Sequence, residues 1–512
     1  MSSELFFVWI KRKRIKELAG IVLLAVSFLI LGRMAFFCFS SDIWYDEVFS
    51  VKVLSLSYTE ITEFTARDVH PPLYYWYLKC FVQAGGWLTG RLTSETVVYF
   101  AKLASLIPMA GLWLLAVTKI GRRFGLFTAG IFSFCVYTMP QLTAYGVEIR
   151  MYSLALFFIT LAFLFACDIA IHKEKKACMG LLVCGILAAY TQYFSCLGIA
   201  VLYLLLGWLI RKDKALVKKW LVCIAASVLA YLPWLETLLK QLSSVRGSYW
   251  IPPLSWKSFA GCIKYIYLPS GGYPWLNYTL AILLVLATFI LTIFFFRKRL
   301  EKGCLFQEEG AVLFLSWGML GGVILIGVGV SILISPVFVY RYMIPFLGSF
   351  WLAFALLLNQ CERKAVWIFT CILSLVIGYT NIKGIFWEED YKKEHMTNTL
   401  KGLSLIEEGD ILIFNFNHVQ AVVGYYKDNQ SYLLYQEPEE LIREVYGNLD
   451  MLKEDAQLHP LLDTQEGSVW FLGSFNSREE IIQSWQSRGL KVTEEGSFLL
   501  ERYWFNLYRV EK

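Results

Sequence analysis

The sequence predicts an all-α polytopic membrane bundle of about eleven transmembrane helices, followed by a small C-terminal α/β domain. Three observations carry that prediction. Hydrophobic residues make up 57% of the 512-residue chain and charged residues 17%, for a mean hydropathy of +0.53. A soluble domain cannot hide that much apolar surface. The apolar residues arrive in blocks, such as Leu18 to Phe39 and Ala311 to Ser335, each near the ~20 residues that cross a ~30 Å hydrocarbon core. From Glu388 onward the composition becomes that of a soluble chain.

The charges agree with this reading. The net charge is +6, but the basic residues are not gathered on one stretch as a nucleic-acid footprint requires, so no nucleic-acid partner is expected. They fall in short clusters between apolar blocks: Lys11–Lys16, Lys119–Arg123, Lys173–Lys176, Arg211–Lys219, Arg297–Lys302 and Arg363–Lys364. If every cluster is cytoplasmic, an even number of helices separates each neighbouring pair. Blocks near 18–39, 97–118, 126–141, 151–171, 177–192, 194–210, 220–242, 276–296, 311–335 and 341–359 satisfy that count, and 365–386 carries the chain out. The first block is longer than a ~7–15 residue signal-peptide core and lacks a small-residue cleavage site behind it, so it reads as a retained helix. The expected topology is a multi-pass cell-membrane protein with a cytoplasmic N-terminus, a transmembrane domain over 1–387 and an extracytoplasmic domain over 388–512. The twelve cysteines sit almost entirely in apolar blocks and form no C-x-x-C pair; they read as small buried hydrophobes.

In the C-terminal segment, Ile411–Phe416, Val469–Phe471 and Trp504–Val510 have the β-branched and aromatic pattern of strands. Arg478–Arg488 has the apolar spacing of an amphipathic helix. Two outward loops are long, 40–96 and 243–275. The second holds Tyr249-Trp250, Trp256, Tyr265 and Tyr267, which suit a membrane interface and could also stack on sugar rings. The sequons at Asn277 and Asn429 both fall on the expected outside.

The loop 40–96 concentrates the chemistry. The first apolar block runs directly into Ser41-Asp42-Ile43-Trp44-Tyr45-Asp46-Glu47, and Arg67-Asp68-Val69-His70-Pro71-Pro72-Leu73-Tyr74-Tyr75 follows. Adjacent carboxylates at the end of an apolar helix repel one another. Their presence points to a general base or to ligands for a divalent cation such as Mg or Mn, with Asp46 and Glu47 as the pair. The plainer alternative is that both cap a helix beginning near Val48. His70 reads as a hydrogen-bonded loop histidine rather than a metal ligand, since no metal-ligand spacing joins the histidines.

Asp46-Glu47 after the first crossing, followed by Asp68-Val69-His70-Pro71-Pro72-Leu73, resembles the protein O-mannosyltransferases and their bacterial relatives in glycosyltransferase family 39. That group shares membrane superfamily C, the GT-C fold, with the aminoarabinose transferases acting on lipid A. Ala144-Tyr145-Gly146-Val147-Glu148-Ile149-Arg150-Met151-Tyr152 is similar to the family's E-A-R-M-Y stretch, with Ile149 in place of the small residue. Val339-Tyr340-Arg341-Tyr342-Met343-Ile344-Pro345 is similar to its R-Y-x-x-P segment. The resemblance spans about the first 390 residues and implies an inverting transfer of a sugar from a polyprenyl-phosphate donor to an extracytoplasmic acceptor. Asp46 would be the base, with Glu47 and Asp68 shaping the acidic pocket and His70 fixing the loop. Arg150, Arg341 and Lys102 would hold the leaving phosphate, with Tyr152 and Tyr342 beside them in the matched stretches. The expected partners are membrane lipids, the donor (carried on undecaprenyl phosphate in a bacterial plasma membrane), and a lipid, protein or cell-wall polymer as acceptor. A transporter of lipid-linked sugars would instead place charges near the bilayer midplane, and a non-catalytic scaffold with an outer sensing domain would leave Asp46 without a task.

Overall fold

The computed structural model describes residues 3–40, 43–244, 251–427, 431–435, 449–452, 454–464, 466–475, 477–500 and 503–512. Asp42, the Tyr249-Trp250 pair and the sequon at Asn429 lie outside the described residues. Among those described, nine helices are long and apolar enough to cross a membrane. Two shorter apolar helices, Leu126–Thr138 and Ala177–Thr191, stand where the sequence places its two shortest crossings. The chain is a multi-pass membrane protein. Leu204, Leu229, Phe289 and Leu325 are exposed on these helices, which water would penalise and hydrocarbon does not.

Contacts divide the chain into two compact units. The first comprises residues 1–36, 58–78 and 103–385. Its helices meet through small residues and polar side chains, because lipid offers no hydrophobic drive for one helix to prefer another. A Cβ placed at Gly130 would sit 2.5 Å from the Gly20 carbonyl oxygen and 2.6 Å from its Cα, so the helices Ser3–Ser40 and Leu126–Thr138 touch backbone to backbone. Asn381 donates from Nδ2 to the Thr138 carbonyl at 3.0 Å and accepts from the Ser270 amide at 3.1 Å. Asp168 accepts from Lys119 at 2.7 Å and also pairs with Arg123, so a carboxylate near a helix end is matched by two of the clustered cations. Gly130→Val forces the first contact apart. Overpacking of this kind costs about 1–3 kcal/mol or more, and the variant is expected to show a thermal midpoint several degrees lower, measured by size-exclusion recovery after heating. Gly32→Ala, where no atom approaches within 4 Å, is its control and should leave the midpoint unchanged.

The second unit comprises residues 37–57, 79–102 and 386–512. Its centre is a six-stranded sheet: β1 (Ile411–Phe414), β2 (Ser431–Tyr435), β3 (Leu449–Leu452), β4 (Val469–Gly473), β5 (Lys491–Leu500) and β6 (Tyr503–Glu511), in the order β3-β2-β1-β4-β6-β5. The inner strands β1, β2, β3 and β4 pair in parallel, with Ile411 opposite both Ser431 and Val469. β6 runs antiparallel to β4 and to β5. β1 and β4 are buried along their whole length, as strands covered on both faces require. The helix Ser477–Ser487 lays Ile481 and Trp485 on Phe471 and Ile413. Asp410 ends the approach to β1: its carboxylate accepts from the Ser468 amide at 2.7 Å and from the Trp470 indole at 2.8 Å. The strands and helix read from the sequence are present, and β2, β3 and β5 join them.

Candidate active site

Within the first unit, the loop after the helix Tyr58–Arg67 carries Asp68 and His70. Pro71 and Pro72 end that loop, since neither can donate a backbone hydrogen bond, and the Pro72 carbonyl accepts from the Trp76 amide as the helix Leu73–Thr89 begins. Tyr74 and Tyr77 then fix the start of this helix through Ser105 Oγ at 3.2 Å and the Ala104 carbonyl at 2.7 Å. The result is a held loop rather than a free one.

His70 is the centre of a three-residue chain. Its Nδ1 lies 2.9 Å from Asp68 Oδ2, and its Nε2 lies 3.2 Å from an Arg150 guanidinium nitrogen. Asp68 as a carboxylate can only accept and Arg150 can only donate. The imidazole is therefore the neutral tautomer with its proton on Nδ1, donating to Asp68 and accepting from Arg150. Burial pushes the His70 pKa down, Asp68 opposes, and Arg150 and Arg341 add to the lowering. Burial acts upward on Asp68, but its pairing with His70, a backbone hydrogen bond at Val69 and the Arg150 charge hold its pKa below the usual carboxylate value. The charge left is one carboxylate against two guanidiniums.

Arg150 is 4% exposed and sits on the irregular segment between the short helix Leu142–Tyr145 and the span Tyr152–His172. Arg341 belongs to the 3₁₀ turn Tyr340–Phe346 and stands 5.9 Å from the ring centre of the buried Tyr152. Tyr152 lies in the fields of both arginines and of Tyr342. Six of the residues singled out in the sequence thus come together in this unit: Asp68, His70, Arg150, Tyr152, Arg341 and Tyr342. An apolar cavity of about 230 Å³ opens beside them, lined by His70, Tyr342, Phe194, Leu238, Ile326 and Val330 among others. Gln192 and Gln241 also stand on that wall, marked by no motif in the sequence; Gln241 donates from Nε2 to the Thr65 carbonyl at 2.8 Å.

A pH dependence follows. Unfolding raises the proton affinity of His70 toward its ordinary value near 6.5, so the unfolded chain binds the extra proton. Stability from this group is complete above pH 6.5 and falls as the pH drops below it; Asp68, also lowered, adds a further loss only below its ordinary value of 3.8. Thermal midpoints measured from pH 7.5 to 5 should decline, and His70→Gln should flatten that decline.

The second unit holds Asp46, Glu47 and Lys102. The helix there begins at Tyr45, earlier than the sequence suggests, and runs to Val53. Glu47 reaches back to the residue that precedes the helix, its carboxylate accepting from the Trp44 amide at 3.1 Å. Asp46 shares the first turn and is only half-buried, whereas Glu47 is 3% exposed. One of the two carboxylates is a cap, and the other is the accessible one. Lys102, 2% exposed, lies with Glu47 in electrostatic reach of Cys38. Among the described residues no three His, Cys, Asp or Glu side chains gather as ligands for a metal ion.

His418, which sequence reasoning passed over, joins this group. Its ring stacks on Tyr45 at 4.1 Å and 3° and on Phe416 at 4.7 Å and 22°. Tyr503 stands edge-on to it at 5.3 Å. The signal was available only as the aromatic spacing Phe416-x-His418, which by itself says nothing of Tyr45.

No family model matches the sequence, and no curated protein matches it. Among solved structures, the chain is similar to ArnT from Cupriavidus metallidurans in the apo state, with a TM-score of 0.58 and 10% identity, over 96% of this chain and 97% of that one. It is also similar to ArnT from the same organism bound to undecaprenyl phosphate, with a TM-score of 0.52, 10% identity and the same coverage. This chain therefore has the fold of these ArnT structures, from the first crossing through the C-terminal sheet.

Proposed function

We propose that this protein is a membrane glycosyltransferase that moves a sugar from a polyprenyl-phosphate donor to an acceptor on the outer side of the membrane. The observation that carries the reading is the Asp68–His70–Arg150 chain, with Arg341 nearby, at the wall of an apolar cavity. Two guanidiniums suit the oxygens of a phosphate, and an apolar cavity suits the isoprenoid chain attached to it. The ArnT structure bound to undecaprenyl phosphate shares the fold, which supports the same class of donor here.

The reaction follows from these roles. The acceptor hydroxyl oxygen attacks the anomeric carbon and gives its proton to Asp46. The bond from that carbon to the phosphate oxygen breaks, and polyprenyl phosphate leaves with the electron pair, its charge met by Arg150 and Arg341. Lys102 adds a third cation. A single displacement without an enzyme nucleophile inverts the anomeric centre. Basic clusters on the cytoplasmic side put the N-terminus inside and residues 388–512 outside.

Binding of undecaprenyl phosphate to the purified protein in nanodiscs tests the donor half. Saturable binding that is weakened by a bulky Gly327→Phe substitution is expected, because Gly327 lines the cavity. Binding unaffected by that substitution would remove the cavity as the donor site.

A further inference from the structure

The C-terminal segment carries a histidine whose surroundings do not need one. Phe416, Tyr45 and Tyr503 enclose His418 on both faces and at one edge. A phenyl ring would fill such a sandwich equally well and without the cost of burying ring nitrogens. In His418 that cost is present: Nδ1 is buried and has no hydrogen-bond partner among the described residues. Burial lowers the pKa of the imidazole, and the Asp46 carboxylate acts on it in the opposite direction. The two groups therefore feel each other. Tyr45, the residue stacked on His418, is also the first residue of the helix whose next position is Asp46.

The helix that bears His418, Asn417–Tyr426, packs against the helix Tyr45–Val53. At its far end the Tyr425 hydroxyl donates to the Ser94 carbonyl. The helix is pinned at both ends, and the imidazole is held in one plane by its stack. A neutral imidazole clamped against the residue that precedes Asp46, and in the field of that carboxylate, supplies a fixed dipole, the kind of preorganised partner that keeps a base in one orientation.

We infer that His418 is a positioning residue for Asp46, through which the C-terminal domain takes part in activating the acceptor. This rests on the reading of Asp46 as the base. It assigns residues 388–512 a task in the chemical step and not merely in anchoring or recognition. It also separates the two substrates, since donor binding belongs to Arg150 and the cavity while His418 acts on the acceptor side.

The informative substitution is His418→Phe, which keeps the aromatic stack and removes both nitrogens. The full-length protein in nanodiscs is assayed with radiolabelled undecaprenyl-phosphate mannose, glucose and aminoarabinose and with native membranes as acceptor source. His418→Phe is expected to lower the transfer rate at saturating donor at least ~10-fold, the scale of a misaligned catalytic group. The donor KM and the thermal shift produced by undecaprenyl phosphate should stay within twofold of wild type. His418→Gln, which restores a polar dipole, should recover several-fold of the lost rate. Wild-type turnover in His418→Phe would overturn the inference and leave the residue a packing element, as would a loss of donor binding equal to the loss of rate. Asp46→Asn, run alongside, distinguishes the two levels: wild-type transfer by that variant overturns the reading of Asp46 itself, whereas an inactive Asp46→Asn with a fully active His418→Phe overturns only the role of His418.

Discussion

Asp46→Asn is expected to lower the rate of sugar transfer by about 10²–10⁴-fold, the range that a positioned general base contributes, with undecaprenyl phosphate binding unchanged. Asparagine has nearly the shape of aspartate, and the Glu47 contact to the Trp44 amide is untouched, so the turn Tyr45–Glu47 survives the change. What disappears is the lone pair able to take a proton at neutral pH. The neighbouring carboxylate provides the contrast. Glu47 is buried and caps its helix through the Trp44 amide; a glutamine oxygen accepts the same hydrogen bond, so Glu47→Gln should retain much of the activity. Glu47→Ala should destabilise the helix start by about 1 kcal/mol and lower the folded yield more than the turnover. These outcomes would divide a pair of acidic residues that looks redundant in sequence into a chemical and a structural member.

Arg150→Leu has the second large expected effect, and it falls on the donor. The substitution removes a cation for the phosphate and leaves the Nε2 of His70 without its donor. A charge-assisted hydrogen bond is worth about 1.5–3 kcal/mol, so Kd for undecaprenyl phosphate should rise roughly 10–100-fold. With the guanidinium gone, the lowering that Arg150 exerts on His70 is also lost. Arg150→Lys keeps a point charge but not the planar fork that spans two acceptors, and should recover only part of the affinity. Isothermal binding curves in nanodiscs at fixed ionic strength give both numbers. A Kd unchanged in Arg150→Leu would assign the phosphate to Arg341 and Lys102 instead.

The membrane half of the fold was legible because two independent signals agree. Apolar length sets where each helix lies, and the basic clusters between them set the parity. The nine long helices and the two short ones stand at the expected places. In the C-terminal segment the buried strands β1 and β4 were readable as continuous apolar runs, and β6 as an aromatic one. β5 was not, since Lys491–Ser497 is largely polar and exposed and takes its strand form from pairing with β6. Tertiary partners override weak local preference in such a case.

The candidate site was legible to the extent that motifs mark it. Asp68, His70, Arg150 and Arg341 come from three separate stretches, and the structure brings them into one hydrogen-bonded and electrostatic group. The helix-capping task of Glu47 was one of two alternatives the acidic pair allowed, and only the Trp44 contact separates them. His418 was beyond reach. Its partners Tyr45 and Tyr503 are distant in sequence, and no local periodicity encodes a ring stacked across that interval. The cavity wall is of the same kind, since Gln192, Gln241 and Tyr342 come from separate helices whose facing sides hydropathy cannot specify.

The most direct test of the central claim is transfer itself. Wild-type protein and Asp46→Asn, in equal folded amounts, are incubated with the radiolabelled undecaprenyl-phosphate sugars and native membranes, and label in non-donor material is counted together with the undecaprenyl phosphate released. With wild type, one donor is expected to yield labelled acceptor and free undecaprenyl phosphate in equal amounts, and with Asp46→Asn neither. Equal transfer by the two proteins, or no transfer from any donor by wild type, would contradict the central claim.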